Sequence, residues 1–186
     1  MRDTLKMMAV LTGVGFVSGL FLVLVFQYAS PLITDNLRKE TESAIYRIFP
    51  AAKGYSKGQV NGEAVFKVTG PDGKLLGYAF VAEGYGYQGK IKMMAGIKPD
   101  LETLIGIEIL DSQETPGLGQ EITGDKFKSQ FKGLRASPEI TCVKNKSREK
   151  PNEIEAITGA TISSRSAVSI LNDSIARMRG DASGKQ

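Results

Sequence analysis

Met7 to Phe26, MMAVLTGVGFVSGLFLVLVF, is a run of 20 residues without a charge. A helix of that length spans about 30 Å, the thickness of a bilayer's hydrocarbon core. A cleaved signal peptide has a shorter apolar region, about 7–15 residues, and ends in a small-x-small exit. Here the exit is Gln27-Tyr28-Ala29-Ser30, with Gln27 where a small residue is wanted. The segment is therefore expected to be retained as a transmembrane helix over residues 7–29. Arg2 and Lys6 precede it, against one Asp3. The positive-inside tendency then puts residues 1–6 in the cytoplasm and the rest across the membrane, although Arg38 and Lys39 follow the span. Tyr28 suits the interface, and Gly15 with Gly19 forms a small-xxx-small pair that lets another helix approach.

Beyond the anchor the chain is long enough for one domain with its own core. The net charge of +4 is spread without a dense basic block, so nucleic-acid binding is not expected. The single cysteine, Cys142, allows no internal disulfide and reads as a small buried hydrophobe. The chain has no histidine. That excludes Ser-His-Asp and Cys-His catalysis and His-ligated zinc or haem. One cysteine also excludes a self-contained iron–sulfur cluster. No catalytic or metal residues are assigned, and any redox chemistry calls for an organic cofactor.

The remaining pattern is α+β. Asp35 to Phe49 carries helical periodicity in Leu37, Thr41, Ala44, Ile45 and Ile48, with Asp35 as a cap and Pro50 as a stop. Residues 30–58 thus read as a linker helix region ahead of a domain over 59–180. Ala64–Val68 and Leu75–Val81 form a hairpin about Gly70-Pro71-Asp72-Gly73, and Lys90–Ile97 and Leu104–Leu110 are further strands. Asp125–Phe131 is a short helix. Residues 137–152 are mostly loop, with a short strand near Ile140–Val143, and Ile154–Ile157 is another short strand. Ser163–Met178 is an amphipathic helix with Ala167, Val168, Leu171, Ile175 and Met178 on one stripe and Gly180 at its stop. Residues 181–186 are expected to be a disordered tail.

Three segments carry the chemistry. Gly84-Tyr85-Gly86-Tyr87-Gln88-Gly89 is literally a GxGxxG, but no crossover helix follows it, so a hairpin connection fits better than a dinucleotide fold. Gln113-Glu114-Thr115-Pro116-Gly117-Leu118-Gly119 is a rigid turn after a strand, able to lay backbone against a planar ring with Leu118 on its face. Thr158-Gly159-Ala160-Thr161-Ile162-Ser163-Ser164 places hydroxyls at a helix start, where free N–H groups and the helix dipole favour a phosphate. Taken alone, Thr161 is equally an N-cap hydroxyl.

In this order, with an anchor ahead of them, the segments resemble the FMN-binding domain of RnfG-type and NqrC-type subunits of membrane redox complexes. Gly86-Tyr87-Gln88-Gly89-Lys90-Ile91 matches a G-Y-x-G-x-I segment of that domain. Glu114 to Gly119 matches its Glu-Thr-Pro-Gly-Leu-Gly run, with Gln113 in place of the common His. Glu155 to Thr161 matches its acidic-x-x-Ser/Thr-Gly-Ala-Thr pattern, with Glu155 where Asp is usual. The RnfG type fits the segments more closely.

The resemblance implies FMN joined through its phosphate to Thr161. Thr158, Gly159, Ala160, Ser163 and Ser164 would surround the phosphate. Glu114, Thr115, Gly117, Leu118, Gly119 and Tyr87 would lie against the ring. It implies an electron-transfer subunit of an ion-translocating complex in a bacterial cell membrane, with the flavin domain outside the cytoplasm. Its partners would be the complex's other membrane subunits and a flavin transferase. A structural anchor without flavin and a stand-alone flavin reductase are the alternatives. The span itself has no ionisable residue to suggest an ion path.

Overall fold

The computed structural model describes residues 2–144, 146 and 148–180. The tail expected over 181–186 lies outside the described residues. The chain divides into two compact units, Met1–Glu40 and Thr41–Gln186.

The described part of the first unit lies wholly in helix α1 (Arg2–Ile48). This helix is long and apolar enough to cross a membrane, and none of its most apolar stretch is buried. Pro31 sits inside α1 and Asp35 is a mid-helix residue paired with Lys39 at 2.7 Å. The expected helix start at Asp35 is thus corrected. Pro31 withholds one N–H, but helix on both sides propagates past it, because each added residue brings its own hydrogen bond.

The second unit opens with the last turns of α1. Its sheet is an antiparallel meander of β1 (Gly54–Val60), β2 (Glu63–Thr69), β3 (Leu75–Tyr85), β4 (Lys90–Ile97) and β5 (Leu104–Ser112), in sequence order. β1 starts inside residues 30–58, where the sequence suggested only a linker. It is a half-exposed edge strand whose register, Gly54↔Thr69 to Val60↔Glu63, comes from β2 rather than from an apolar pattern of its own.

Both faces of the sheet are covered. Ala44, Ile45, Ile48 and Phe49 pack with Val68, Ala79 and Met94 on one face. On the other, Phe80, Ala82, Ile91, Met93 and Ala95 meet Ala167, Val168, Leu171 and Ile175 of α3 (Thr161–Arg179). β4 is consequently apolar on both sides, unlike a strand with one wet face.

Between β5 and α3 run a 3-10 turn (Gly119–Thr123), the short helix α2 (Asp125–Lys128) with a 3-10 extension (Ser129–Phe131), and two short strands, β6 (Thr141–Val143) and β7 (Glu153–Glu155). β6 and β7 pair in parallel, Thr141↔Glu153 to Val143↔Glu155. Phe127 and Phe131, stacked edge-on with centroids 5.3 Å apart, root this region in the core. Gly180 ends α3 in the left-handed conformation, φ 79°.

Candidate flavin site

The three motif segments converge at one end of the sheet. Gly86 N–H donates to Gly89 O at 2.7 Å and closes the β3–β4 hairpin, as the glycine spacing suggested. Next to it, Gln113 N–H donates to Lys90 O at 3.0 Å, carrying the chain from β5 into the second segment. There Leu118 N–H donates to Thr115 O at 3.2 Å across a turn with Pro116 second and Gly117 third, φ 73°. That is the pattern of a type II turn, whose third residue needs positive φ.

The third segment repeats the device. Ala160 N–H donates to Ile157 O at 3.0 Å, with Gly159 third at φ 84°. The two turns are neighbours, since a Cβ on Gly159 would lie 3.4 Å from Leu118 Cδ2.

Glu114 joins all three. Its side chain is buried. Oε1 accepts the backbone N–H groups of Tyr87 at 2.6 Å and Gln88 at 3.1 Å. Oε2 accepts the Ser163 hydroxyl at 2.8 Å. Thr115 Oγ1 adds a hydrogen bond to Gln88 Oε1. The room for this carboxylate comes from Gly86 and Gly119, where a Cβ would overlap Oε1 and Oε2 respectively. Burying a carboxylate is costly without such donors, and charge-assisted bonds are the strong ones.

Around this pin lies a cleft of about 570 Å3, lined by Tyr87, Glu114, Thr115, Leu118, Gly119, Lys144, Thr158, Gly159, Ala160, Thr161, Ile162 and Ser163. Its volume is that of a site for a small organic ligand, roughly 300–1,000 Å3. Tyr87, Leu118 and Ile162 are exposed here, 67%, 50% and 56%, leaving apolar surface in water at the cleft's rim.

The hydroxyls of the helix start divide into two kinds. Ser163 is turned onto Glu114. Ser164 is buried, donates to Ala160 O at 2.9 Å and accepts Ile157 N–H at 3.1 Å, stapling the turn to α3. Each of these two hydroxyls thus spends its proton inside the protein. Thr158 and Thr161 line the cleft, and among the described residues neither hydroxyl has a hydrogen-bond partner. Thr161 is the first residue of α3 rather than its cap. Ala160 holds the cap position and supplies no side-chain bond. The first N–H groups of α3 thus have neither an intrahelical acceptor nor a side-chain cap.

Of the residues the sequence singled out, Gly117 and Ser164 shape the turns without lining the cleft, and the other ten line it. Lys144 and Ile162 join them without having been singled out. Ile162 stood within the Thr158–Ser164 run but carries no polar group. Lys144 opens a basic stretch, Lys144 to Lys150, in which nothing local distinguishes it, and the β6–β7 pairing brings it to the approach of the Thr158–Thr161 turn.

The same fold occurs in solved structures. The chain superimposes on NqrC of Shewanella oneidensis with a TM-score of 0.58 over 71% of this chain and 73% of that one, at 21% identity. The C subunit of the Na(+)-translocating NADH-quinone reductase of Parabacteroides distasonis gives 0.58 over 73% and 80%, at 25% identity. Residues 86–176 match the family described as FMN-binding domain, and the chain belongs to it.

Among its relatives is the G subunit of the proton-translocating ferredoxin:NAD(+) oxidoreductase complex of Clostridium ljungdahlii. The two are 30% identical over 170 residues, 91% of this chain and 89% of that one. The G subunit of the Na(+)-translocating ferredoxin:NAD(+) oxidoreductase complex of Acetobacterium woodii is 40% identical over 105 residues, 56% of this chain and half of that one.

Proposed function

We propose that this protein is the flavin-carrying electron-transfer subunit of an ion-translocating ferredoxin:NAD(+) oxidoreductase complex, with FMN held by a phosphoester bond to Thr161 Oγ. The observation that carries the reading is the Thr161 hydroxyl, without a hydrogen-bond partner among the described residues, at an uncapped helix start inside a cleft that also gathers Tyr87, Glu114, Thr115, Leu118 and Gly119. The residues fit the group. The uncapped N–H groups of α3 suit a phosphate, and the exposed faces of Tyr87 and Leu118 suit an apolar ring.

FMN, when bound, supplies the electron-carrying chemistry that no side chain here can perform. The protein's part is to hold it. Loading forms the bond from Thr161 Oγ to phosphorus and breaks a phosphoanhydride bond in a flavin donor such as FAD. The hydroxyl's proton leaves, AMP departs and nothing is oxidised. A flavin transferase is the partner that supplies this step. The Glu114 pin then keeps the hairpin, the loop and the helix in register around the ring. Electrons would come from and go to partner subunits. In this reading residues 7–29 span the cell membrane, residues 30–58 link them to a flavin domain over 59–180, and the domain lies on the extracytoplasmic side.

The test is full-length protein co-expressed with a flavin transferase, run on a denaturing gel under ultraviolet light beside Thr161→Val. Fluorescence that survives denaturation, vanishes in the variant and maps by mass spectrometry to the Thr161 peptide is the expected result. A dark wild-type band, with the transferase active on a control substrate, would refute it.

A further inference from the structure

Lys144 has no place in any of the three motifs, yet it lines the same cleft as Thr158, Gly159, Ala160 and Thr161. Its position is set by backbone pairing. β6 ends at Val143 opposite Glu155, and Ala156 N–H donates to Val143 O at 2.8 Å. The chain therefore leaves β6 at Lys144 alongside Ala156 and Ile157, the approach to the Thr158–Thr161 turn.

We infer that Lys144 is the cation that receives the phosphate of the ligand at this turn. The inference rests on the flavin reading and adds to it a residue that the motifs do not contain.

Charge singles this residue out. Among the described residues lining the cleft, Lys144 is the one cation and Glu114 the one carboxylate. Glu114 is answered by three donors of the protein itself, so it has no need of the lysine. Lys144 is exposed and, among the described residues, has no ion pair or hydrogen bond of its own. Its three ammonium donors are free for a ligand. The serines that could have served a phosphate face inward. That leaves the first N–H groups of α3 and the Lys144 ammonium as the donors this cleft offers a phosphate. A helix start contributes only partial positive charge, whereas a phosphate carries a full negative one. The ammonium supplies the difference through a charge-assisted hydrogen bond.

The experiment uses full-length wild type, Lys144→Gln and Lys144→Arg, each loaded by flavin transferase with FAD. Loading rate and the 31P resonance of the resulting phosphodiester are measured, with thermal melting as a control. Lys144→Gln is expected to load about tenfold more slowly, the effect of one bond to a charged group. Its 31P resonance is expected to move, its melting temperature to stay, and Lys144→Arg to restore both rate and resonance. Wild-type loading rate and an unmoved 31P line in Lys144→Gln would overturn the inference. So would equal defects in the Gln and Arg variants accompanied by a lowered melting temperature, which would mark a structural role. A wild type that fails to load, with the transferase active on a control, overturns the flavin reading itself and the inference with it.

Discussion

Ser163 Oγ donates to Glu114 Oε2 at 2.8 Å across 49 residues of sequence, tying the first turn of α3 to the loop that leaves β5. The same carboxylate takes two N–H groups from the hairpin tip. Removing the acceptor is therefore worse than removing one donor. Ser163→Ala is expected to lower unfolding stability by about 1–3 kcal/mol, the effect of leaving a buried charged acceptor one partner short. Glu114→Ala, which strands three donors, is expected to cost more. The double variant should cost less than the sum, because the two share one bond. Urea unfolding of the detergent-solubilised chain measures all three. Strictly additive costs would show that the two side chains do not act together.

Gly119 is packed tightly against both members of this pair. A Cβ there would overlap Glu114 Oε2 and lie 2.6 Å from Ser163 Oγ. Gly119→Ala should displace the carboxylate, destabilise the chain by roughly 1–3 kcal/mol and reduce flavin loading. Gly117→Ala has open space around it, and only its φ of 73° resists the change. Its cost should be about 1–2 kcal/mol, from the left-handed backbone alone. Thermal melting of the pair separates the two causes.

Much of the sheet and of the site could be read before any coordinates. β4 occupies the expected Lys90–Ile97, and the glycine-rich run proves to be a hairpin tip rather than a dinucleotide loop. These elements announce themselves locally, by apolar runs bounded with turn residues. β1 does not, because its seven residues, GYSKGQV, are half-exposed and take their conformation from β2. The site shows the same division. Its segments are short local patterns, but side-chain direction depends on partners far along the chain. Ser163 and Ser164 sit two and three residues past Thr161, yet both are buried, with their hydroxyls taken by Glu114 and by Ala160 O, while the Thr161 hydroxyl has no such partner among the described residues. Lys144 is invisible in sequence for the same reason, since the β6–β7 pairing brings it to the approach of the Thr158–Thr161 turn.

Two carboxylates outside the site make stability depend on pH. The backbone N–H of Glu149, then that of Lys150, hold the Glu153 carboxyl below its ordinary value, against some desolvation. At Asp100, burial pushes upward, but the N–H groups of Glu102 and Thr103 outweigh it and the net direction is again down. A carboxyl with a lowered pKa in the fold binds protons more readily when unfolded. Its stabilisation is complete above the unfolded value, about pH 4, and is lost as pH falls through the folded value. The denaturation midpoint is therefore expected to be flat from neutrality to about pH 5 and to fall below it. Glu153→Leu and Asp100→Ala should each make that fall shallower. An unchanged acid limb in both variants would place the acid sensitivity elsewhere.

Thr158 and Thr161 pose the sharpest question about the site, because both line the cleft and, among the described residues, neither hydroxyl is engaged. Their backbones differ. Thr158 is an exposed residue in the middle of a turn, while Thr161 begins α3, whose first N–H groups have no side-chain cap. A phosphate on Thr161 gains those donors and the favourable end of the helix dipole, about 0.3–1 kcal/mol from the dipole alone. A phosphate on Thr158 stands at no helix start. Thr158→Val is thus expected to keep the covalent flavin and Thr161→Val to lose it, with melting temperatures of both within about a degree or two of wild type. Peptide mapping of each loaded variant decides the matter. An adduct that moves to Thr158 when Thr161 is removed would mean that the cleft selects the phosphate's position and the helix start does not.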